Sequence, residues 1–189
     1  MDPYYKKTIP YKLSGMSFNF DVGNTLFSTF SVDHGTDVLL RYLSPGSEPE
    51  SILDIGCGTG VLGIVLGKKY PNARVTCVDK DLLAIRYTQI NAEKNNVKNL
   101  EALGSVATEA VSDRVFDLIV SNVPAKIGDS AIEKEFILKP LELLRPEGEL
   151  WIVVVTGLNR IIPKIGRRHT LKMKEVKKRH GHSVYRIKK

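Results

Sequence analysis

From about residue 50 onward, short apolar runs alternate with longer segments in which apolar residues recur at helical spacing. The short runs are rich in β-branched residues and have the length of buried strands. They predict five strands, at residues 51–55, 73–78, 99–103, 116–121 and 149–156. Strands of this kind, separated by helices, are typical of a parallel sheet that is covered by helices on both faces.

Helices are predicted after the first, second and fourth of these strands. The first helix covers residues 60–69, and the second begins at Asp81, whose carboxylate can accept a hydrogen bond from the first helical turn as an N-cap. Ser130 is predicted to cap the third helix, and Pro140 should bend it because proline lacks a backbone N–H. A further helix is expected over residues 32–43, before the first strand.

The two ends of the chain follow different patterns. Residues 171–178 and 182–188 alternate apolar with polar side chains, which predicts two strands joined by a turn at His180-Gly181. This antiparallel hairpin would complete a seven-stranded, mostly parallel sheet in a three-layer, Rossmann-like α/β fold. Residues 1–20 are aromatic and weakly periodic, and we treat them as a candidate N-terminal arm of a single domain that covers residues 1–189.

Positive charge is concentrated near the C-terminus. The chain carries a formal net charge of +7, with 28 Lys and Arg against 21 Asp and Glu. Residues 160–189 hold twelve of the basic residues and one acid, so the remainder has a net charge of −4. A merely solvated face is one explanation, but the asymmetry favours a polyanionic partner such as RNA. The arm would add phosphate contacts and base stacking through Tyr4, Tyr5, Lys6, Lys7, Tyr11 and Lys12.

Several classes of protein are disfavoured by the sequence. No apolar run approaches the roughly 18 residues that span a membrane, and the N-terminal residues lack the apolar stretch of a secretory signal. We therefore expect a cytoplasmic protein without a membrane partner. Cys57 and Cys77 are expected to be small buried residues rather than a disulfide. No Cys/His cluster has metal-ligand spacing, so no metal site is predicted.

Candidate chemistry begins where the first predicted strand ends. The loop Asp54-Ile55-Gly56-Cys57-Gly58-Thr59-Gly60 contains three glycines, which permit a sharp turn and a close approach of the backbone to a ligand. The helix that follows presents unpaired N–H groups and a positive end to an anionic group. The loop therefore predicts a site for a nucleoside-containing cofactor.

Two acids flank this loop. Asp79, at the end of the second predicted strand, can accept hydrogen bonds from ribose hydroxyls. Asp54 could either orient the loop backbone or lie near the amino group of a methionine moiety, since a buried acid is rarely present for packing. These features fit NAD as well as S-adenosylmethionine, although Val61 stands where a dinucleotide loop has its last glycine.

The segment Ser121-Asn122-Val123-Pro124 follows the fourth predicted strand. Ligands of doubly wound sheets bind beyond the carboxyl ends of the strands, so Asn122 should face the same crevice as Gly56. Its amide oxygen can accept a hydrogen bond from a substrate amine. An ordinary turn is the alternative interpretation, because Asn and Pro both favour turns.

Taken together, these segments resemble the ordered motifs of class I S-adenosylmethionine-dependent methyltransferases, as does Leu144-Arg145-Pro146-Glu147-Gly148-Glu149-Leu150. Two upstream segments, Leu26-Phe27-Ser28 and Val32-Asp33-His34-Gly35-Thr36, are similar to the small methyltransferase domain of ribosomal RNA guanine-N2 methyltransferases. The resemblance covers roughly residues 20–189. It implies methyl transfer to an exocyclic amine of a base in RNA, ribosomal rather than transfer RNA, with guanine N2 of the small-subunit RNA as the expected position.

The resemblance also implies which residues act. Asn122, Val123 and Pro124 would bind the substrate amine as the catalytic set. The expected cofactor-binding residues lie in the upstream segment, in the loop and at the strand ends: Phe27, Thr36, Asp54, Gly56, Cys57, Gly58, Gly60, Asp79, Lys80, Ser105 and Asn122.

Three positions depart from the motifs of the family. Its fourth motif is Asn-Pro-Pro followed by an aromatic or bulky residue, whereas this chain has Val123 and Ala125, so stacking on a flipped base would come from elsewhere. Ser105 replaces the acid usual after the third strand and could hydrogen-bond the adenine amino group. The open alternatives are a protein glutamine-N5 methyltransferase, a small-molecule enzyme and a non-catalytic RNA-binding protein. An NAD-dependent oxidoreductase leaves Asn122 unexplained.

Overall fold

The chain forms nine strands and six α-helices within residues 2–24 and 31–189, which the computed structural model describes. The strands are β1 (Tyr5–Leu13), β2 (Met16–Gly23), β3 (Ser51–Ile55), β4 (Arg74–Asp79), β5 (Leu100–Gly104), β6 (Phe116–Asn122), β7 (Leu144–Val155), β8 (Lys172–Arg179) and β9 (His182–Lys188). The helices are α1 (His34–Tyr42), α2 (Val61–Lys69), α3 (Leu82–Lys94), α4 (Asp129–Glu133), α5 (Lys139–Glu142) and α6 (Ile161–Arg168).

Seven of the strands form one sheet, in the order β5-β4-β3-β6-β7-β9-β8. Strands β3 to β7 are parallel, and β9 is antiparallel to both of its neighbours. This confirms the predicted α/β fold with a mostly parallel sheet and a C-terminal hairpin. The strand order reverses between β3 and β6, and ligands of such sheets bind in the crevice that this reversal opens at the carboxyl ends.

A layer of helices covers each face of the sheet. Alternate residues of β6 show the division, because successive side chains of a strand point to opposite faces. Leu118 and Val120 pack with α1 and α2 on one face, whereas Ile119 packs with α4 and α6 on the other. The predicted three-layer architecture is therefore confirmed.

The C-terminal hairpin turns at His180 and Gly181, as predicted. Both residues have a positive φ, 48° and 76°, which suits the tight turn of a hairpin. The Thr156 N–H donates to the Gly181 carbonyl at 2.7 Å and ties the turn to the end of β7. Because β9 lies between β7 and β8, the lysine-rich strand β8 forms one edge of the sheet.

Residues 5–20 of the candidate arm, together with residues 21–23, form an antiparallel hairpin of β1 and β2. The Phe18 and Phe20 rings are almost completely buried and stack at 6.0 Å between centroids. Tyr11 packs against both rings and donates its hydroxyl to Asp37 at 2.9 Å. The role in base stacking that we predicted for Tyr11 is therefore wrong, since its ring and hydroxyl are committed to packing.

Two buried asparagines, one in α3 and one at its C-terminal cap, hold this hairpin. Asn91 donates to the Asp21 carbonyl at 3.0 Å and accepts from the Asp21 N–H at 2.7 Å. Asn95 forms the same pair of bonds with Asn19, at 2.8 and 2.9 Å. The side chains thus replace the strand that would otherwise pair with this edge of β2.

The assignment of residues 1–189 to a single domain stays a prediction.

The predicted helix after β6 is interrupted. It begins after Gly128, whose φ is 85°, so Ser130 lies in the first turn and the prediction that it is the N-cap is wrong. A π-helical turn at Lys134–Leu138 separates α4 from α5, and Pro140 lies in the first turn of α5. Proline lacks an N–H and its ring crowds the carbonyl four residues earlier, so the distortion predicted at Pro140 takes the form of this wider turn.

Strand β7 also differs from its predicted bounds. It begins at Leu144 rather than at residue 149. The turn at Glu147, which has a φ of 63°, is accommodated within the strand as an irregularity in its pairing with β6. Elsewhere the predicted strands agree with the observed ones to within a residue or two.

In the described part of the chain, no helix has the length and apolar character needed to cross a membrane. The same residues contain no group of three or more His, Cys, Asp or Glu side chains that could hold a metal ion. Cys57 and Cys77 are free and buried, as expected.

We expect Asn91→Ala to lower the free energy of unfolding by about 2–3 kcal/mol, because it leaves buried backbone groups of Asp21 and the Thr59 carbonyl without partners. Chemical denaturation measures this change. Gln89→Ala, at an exposed position on the same helix, is the matched control and should stay within about 0.5 kcal/mol of the wild type. Equal effects of the two substitutions would contradict the anchoring role of Asn91.

Candidate active site

The candidate site lies where β3 and β6 end side by side. Asp54 is beside Val120 in the parallel register, so the residues that follow, Gly56 and Asn122, reach the same edge of the sheet. The Ser121 hydroxyl donates to the Ile55 carbonyl at 2.7 Å and joins the two strand ends. The predicted meeting of the glycine loop with Asn122 is thus what the topology produces.

The backbone of the glycine loop is held against β4. The N–H groups of Gly56 and Cys57 both donate to the Val78 carbonyl, at 2.8 and 3.1 Å. At Gly58, φ is 56°, and a Cβ would meet no atom within 4 Å, so this turn borders open space. At Gly60, φ is 84°, and a Cβ would lie 2.9 Å from Thr88. A side chain at the last glycine would therefore crowd the packing of α2 against α3, and the cofactor role of Gly60 stays a prediction.

Asp54 is completely buried beneath this loop. Its Oδ2 accepts from the Gly63 N–H at 3.0 Å and so orients the start of α2. Its Oδ1 has no hydrogen-bond partner among the described residues. Burial, opposed by the Gly63 hydrogen bond and assisted by the nearby Asp79 carboxylate, raises the pKa of Asp54 to about 7.

Asp79 lies at the end of β4, facing the loop. Its Oδ2 accepts from the Gly58 N–H at 2.9 Å, and its Oδ1 accepts from the Asp81 N–H at 3.0 Å. Asp81 caps α3 as predicted, by accepting from the Leu83 N–H. A carboxylate has about four acceptor positions, so Asp79 can still bind hydroxyl groups. Lys80, beside it, is exposed.

Three further residues that were predicted to bind the cofactor lie in different surroundings. Ser105 is buried, and its hydroxyl donates to the Ala107 carbonyl and accepts from the Ala110 N–H, both at 3.0 Å. The Cys57 thiol points into the core and lies 3.5 Å from the Thr88 hydroxyl. Phe27 lies outside the described residues. The cofactor roles of these three residues stay predictions.

Asn122 is held by the start of α1. Its Nδ2 donates to Asp33 Oδ2 at 2.7 Å and to the Thr36 hydroxyl at 3.1 Å. The same Asp33 oxygen accepts from the Thr36 N–H at 3.2 Å and caps α1. Because a carboxylate only accepts, the nitrogen of the amide must face Asp33. The amide oxygen is thereby turned away from Asp33 and can accept from another donor.

Sequence reasoning missed Asp33 as a site residue and assigned Thr36 to the cofactor. The structure brings both of them to Asn122, and the cofactor role of Thr36 stays a prediction. Asp33 precedes a helix and stands three residues before Thr36, which is the pattern of an N-cap. Its second contact, with Asn122, joins positions far apart in the chain, so no local pattern could have shown it.

The rest of the fourth motif has two different environments. The Val123 side chain is buried among core residues, and its N–H donates to the Val153 carbonyl at 3.0 Å. Pro124 and Ala125 are exposed. Valine at the second position therefore supplies core packing, and alanine at the fourth presents no ring to a substrate.

These residues fit a nucleoside cofactor with an amino acid moiety. The turn at Gly58 borders open space, Asp79 offers acceptors to hydroxyl groups, and Asp54 retains a buried oxygen that lacks a donor. A buried polar atom without a partner is costly, so a ligand donor there would be stabilising. The predicted cofactor roles of Asp54, Gly56, Gly58 and Asp79 are consistent with this geometry.

The sequence from residue 17 to residue 186 matches the family described as "Methyltransferase small domain". The chain belongs to this family. It is a methyltransferase domain whose cofactor is S-adenosylmethionine.

Relatives of this methyltransferase small domain include a protein of similar length and a much longer one. It is 28% identical over 187 residues to YbxB of Bacillus subtilis, and the aligned region covers 97% of this chain and 92% of that protein. It is 36% identical over 141 residues to ribosomal RNA small subunit methyltransferase C of Hahella chejuensis, or 73% of this chain and 39% of the relative. The chain thus spans less than half the length of that rRNA methyltransferase.

Among solved structures, the domain is similar to the T. thermophilus 16S rRNA N2 methyltransferase RsmC, determined in complex with AdoMet and guanosine. The TM-score is 0.83 at 25% sequence identity, and the match covers 97% of this chain and 50% of the other.

We expect Asp54→Asn to change how stability depends on pH. The folded pKa of Asp54 lies above the usual value of 3.8, so its protonated form stabilises the fold, and this contribution is lost as pH rises from about 4 to about 7. The free energy of unfolding of Asp54→Asn relative to the wild type should therefore rise by roughly 2–3 kcal/mol between pH 5 and pH 8. Urea denaturation at the two pH values measures it, and a pH-independent difference would contradict the assignment.

Proposed function

We propose that this domain transfers a methyl group to an exocyclic amine of a base in RNA, and that guanine N2 of small-subunit ribosomal RNA is the acceptor. The observation that carries the proposal is the orientation of Asn122, whose amide nitrogen is bonded to Asp33 and Thr36 beside the cofactor loop. The amide oxygen remains as an acceptor at the carboxyl edge of the sheet.

An exocyclic amine needs such an acceptor because its nitrogen lone pair is delocalised into the ring. A hydrogen bond from the amine to the Asn122 oxygen, and a second to the Val123 carbonyl, would favour a tetrahedral nitrogen with an exposed lone pair. The bound cofactor supplies a methyl group on a positively charged sulfur, which is already an activated leaving group. The protein therefore acts mainly by positioning the amine, and the departing proton passes to solvent.

Two further observations support RNA as the substrate. Twelve basic residues occupy the last thirty positions of the chain, against one acid. The relatives include ribosomal RNA methyltransferases of both subunits, from Hahella chejuensis and Photobacterium profundum.

The guanine-N2 assignment is supported by the bound guanosine and the N2 specificity named for the T. thermophilus structure. The cytoplasm is the compartment that such a substrate implies.

Asn122→Ala should reduce kcat for methyl transfer to RNA by a factor of about 100 or more, because the amine loses its acceptor and with it the productive geometry. Transfer of radiolabelled methyl groups to small-subunit ribosomal RNA measures the rate. Calorimetric affinity for S-adenosylmethionine should change much less. Asn72→Ala, an exposed asparagine before β4 at the opposite edge of the sheet, is the control. Wild-type rates for Asn122→Ala would refute the proposed mechanism.

Asp33→Ala should lower kcat by roughly tenfold, because the Asn122 amide loses its strongest anchor. Asp33→Asn keeps an acceptor oxygen for the helix cap and should recover much of the rate. Thermal unfolding of both variants separates loss of the cap, worth about 1 kcal/mol, from loss of orientation. If kcat follows stability alone across the series, Asp33 has no positioning role.

The same assays separate the alternatives. A protein glutamine-N5 methyltransferase would label protein and leave RNA unlabelled. A non-catalytic RNA-binding protein would bind RNA but not S-adenosylmethionine.

A further inference from the structure

The direction of the C-terminal strands brings the end of β8 to the active-site edge. β9 is antiparallel to β7 and to β8, so β8 runs in the same direction as β6 and β7. Arg179, at the end of β8, therefore lies at the carboxyl edge of the sheet with Asn122. Lys172, at the start of β8, lies at the opposite edge.

The strand register gives the separation along this edge. Asn122 is beside Val153, Val153 is beside Val184, and Val184 is beside Lys177. Neighbouring strands lie about 4.8 Å apart, so three intervals place Lys177 roughly 14 Å from Asn122 across the sheet. Arg179 and His182 form the last pair of the hairpin, two residues farther toward the crevice side. One short segment of RNA could contact both Asn122 and this corner.

Strand β8 carries five basic residues and a single acid, Glu175. Arg168 pairs with Glu133, and Arg186 and Lys188 lie within 4 Å of Glu149. In contrast, among residues 2–24 and 31–189 no acid forms an ion pair with Lys172, Lys174, Lys177, Lys178 or Arg179. Lysines also protect edge strands from aggregation, but that purpose does not distinguish the two ends of β8.

The turn after β8 lies beside the start of α1, the segment to which the Asn122 side chain is hydrogen-bonded. A Cβ at Gly35 would be 2.9 Å from both Asp33 Oδ2 and His182 Cδ2, so the turn packs on the start of α1. The exposed rings of His34 and His180 are 6.3 Å apart between centroids. They offer flat surfaces beside the acceptor site, where the exposed Ala125 supplies none.

We infer that the RNA segment flanking the target base is bound across the edge of the sheet where β7 and β8 end and β9 begins. The residues that bind it are His34, Lys177, Arg179 and His180, which we name the β8–β9 rim. This inference rests on the proposed function. Lys177 and Arg179 contact phosphates, and the two imidazole rings stack on an unpaired neighbouring base. The Arg179 Nε donates to His180 Nε2 at 3.0 Å and couples the two kinds of contact.

The decisive comparison is between two double variants of one strand. Lys177→Ala with Arg179→Ala removes two charges at the active-site end, and Lys172→Ala with Lys174→Ala removes two at the other. With transcribed small-subunit ribosomal RNA, the first pair should raise KM for RNA at least tenfold. It should also reduce the slope of log affinity against log salt by about 1.4, or roughly 0.7 for each lost phosphate contact. The control pair should change neither quantity, and thermal unfolding and S-adenosylmethionine affinity should match in all three proteins.

His180→Ala and His34→Ala test the stacking contact. Each should raise KM for RNA about fivefold or more with an unchanged salt slope, because stacking releases no counterions. Equal losses from the two double variants, or no loss from the first, would overturn the inference. If the wild type transfers no methyl group to RNA, the proposed function fails instead, so the two failures are distinguishable.

Discussion

The hydrogen bond from Asn122 Nδ2 to Asp33 Oδ2, 2.7 Å long, joins the end of β6 to the start of α1. The proposed acceptor geometry depends on it, because an amide side chain free to rotate would present nitrogen and oxygen equally. A single carboxylate oxygen caps the helix and selects the amide orientation. The β8–β9 turn lies beside this contact, since the His182 side chain packs against Gly35, two residues after Asp33.

A second carboxylate, that of Asp54, lies on the cofactor side of the crevice, and its burial carries a cost in free energy. Asp54 is buried with one oxygen bonded to Gly63 and the other without a described partner, and burial raises its pKa to about 7. Such an arrangement weakens the isolated domain at neutral pH. The cost of burying Asp54 would be offset if its unpartnered oxygen accepted a hydrogen bond from the bound cofactor.

Much of the sheet could be predicted from the sequence, because its signals are local. Apolar runs locate β3 to β6, and Asp81 reads correctly as a cap. The hairpin of β1 and β2 could not be predicted, since it depends on Asn91 and Asn95 far along the chain. The Ser130 cap was wrong because Gly128 offered a backbone turn that starts the helix earlier. Asp33 was missed because its decisive partner lies on another strand.

We propose that Asn122, presented beside the cofactor loop, directs methyl transfer to guanine N2 in small-subunit ribosomal RNA. The most direct test is mass spectrometry of nucleosides from this RNA, isolated from cells with and without the gene. One N2-methylguanosine should disappear on deletion of the gene and return with the wild-type gene. An unchanged nucleoside profile, or loss of a methyl group carried elsewhere than on an exocyclic amine, would contradict it.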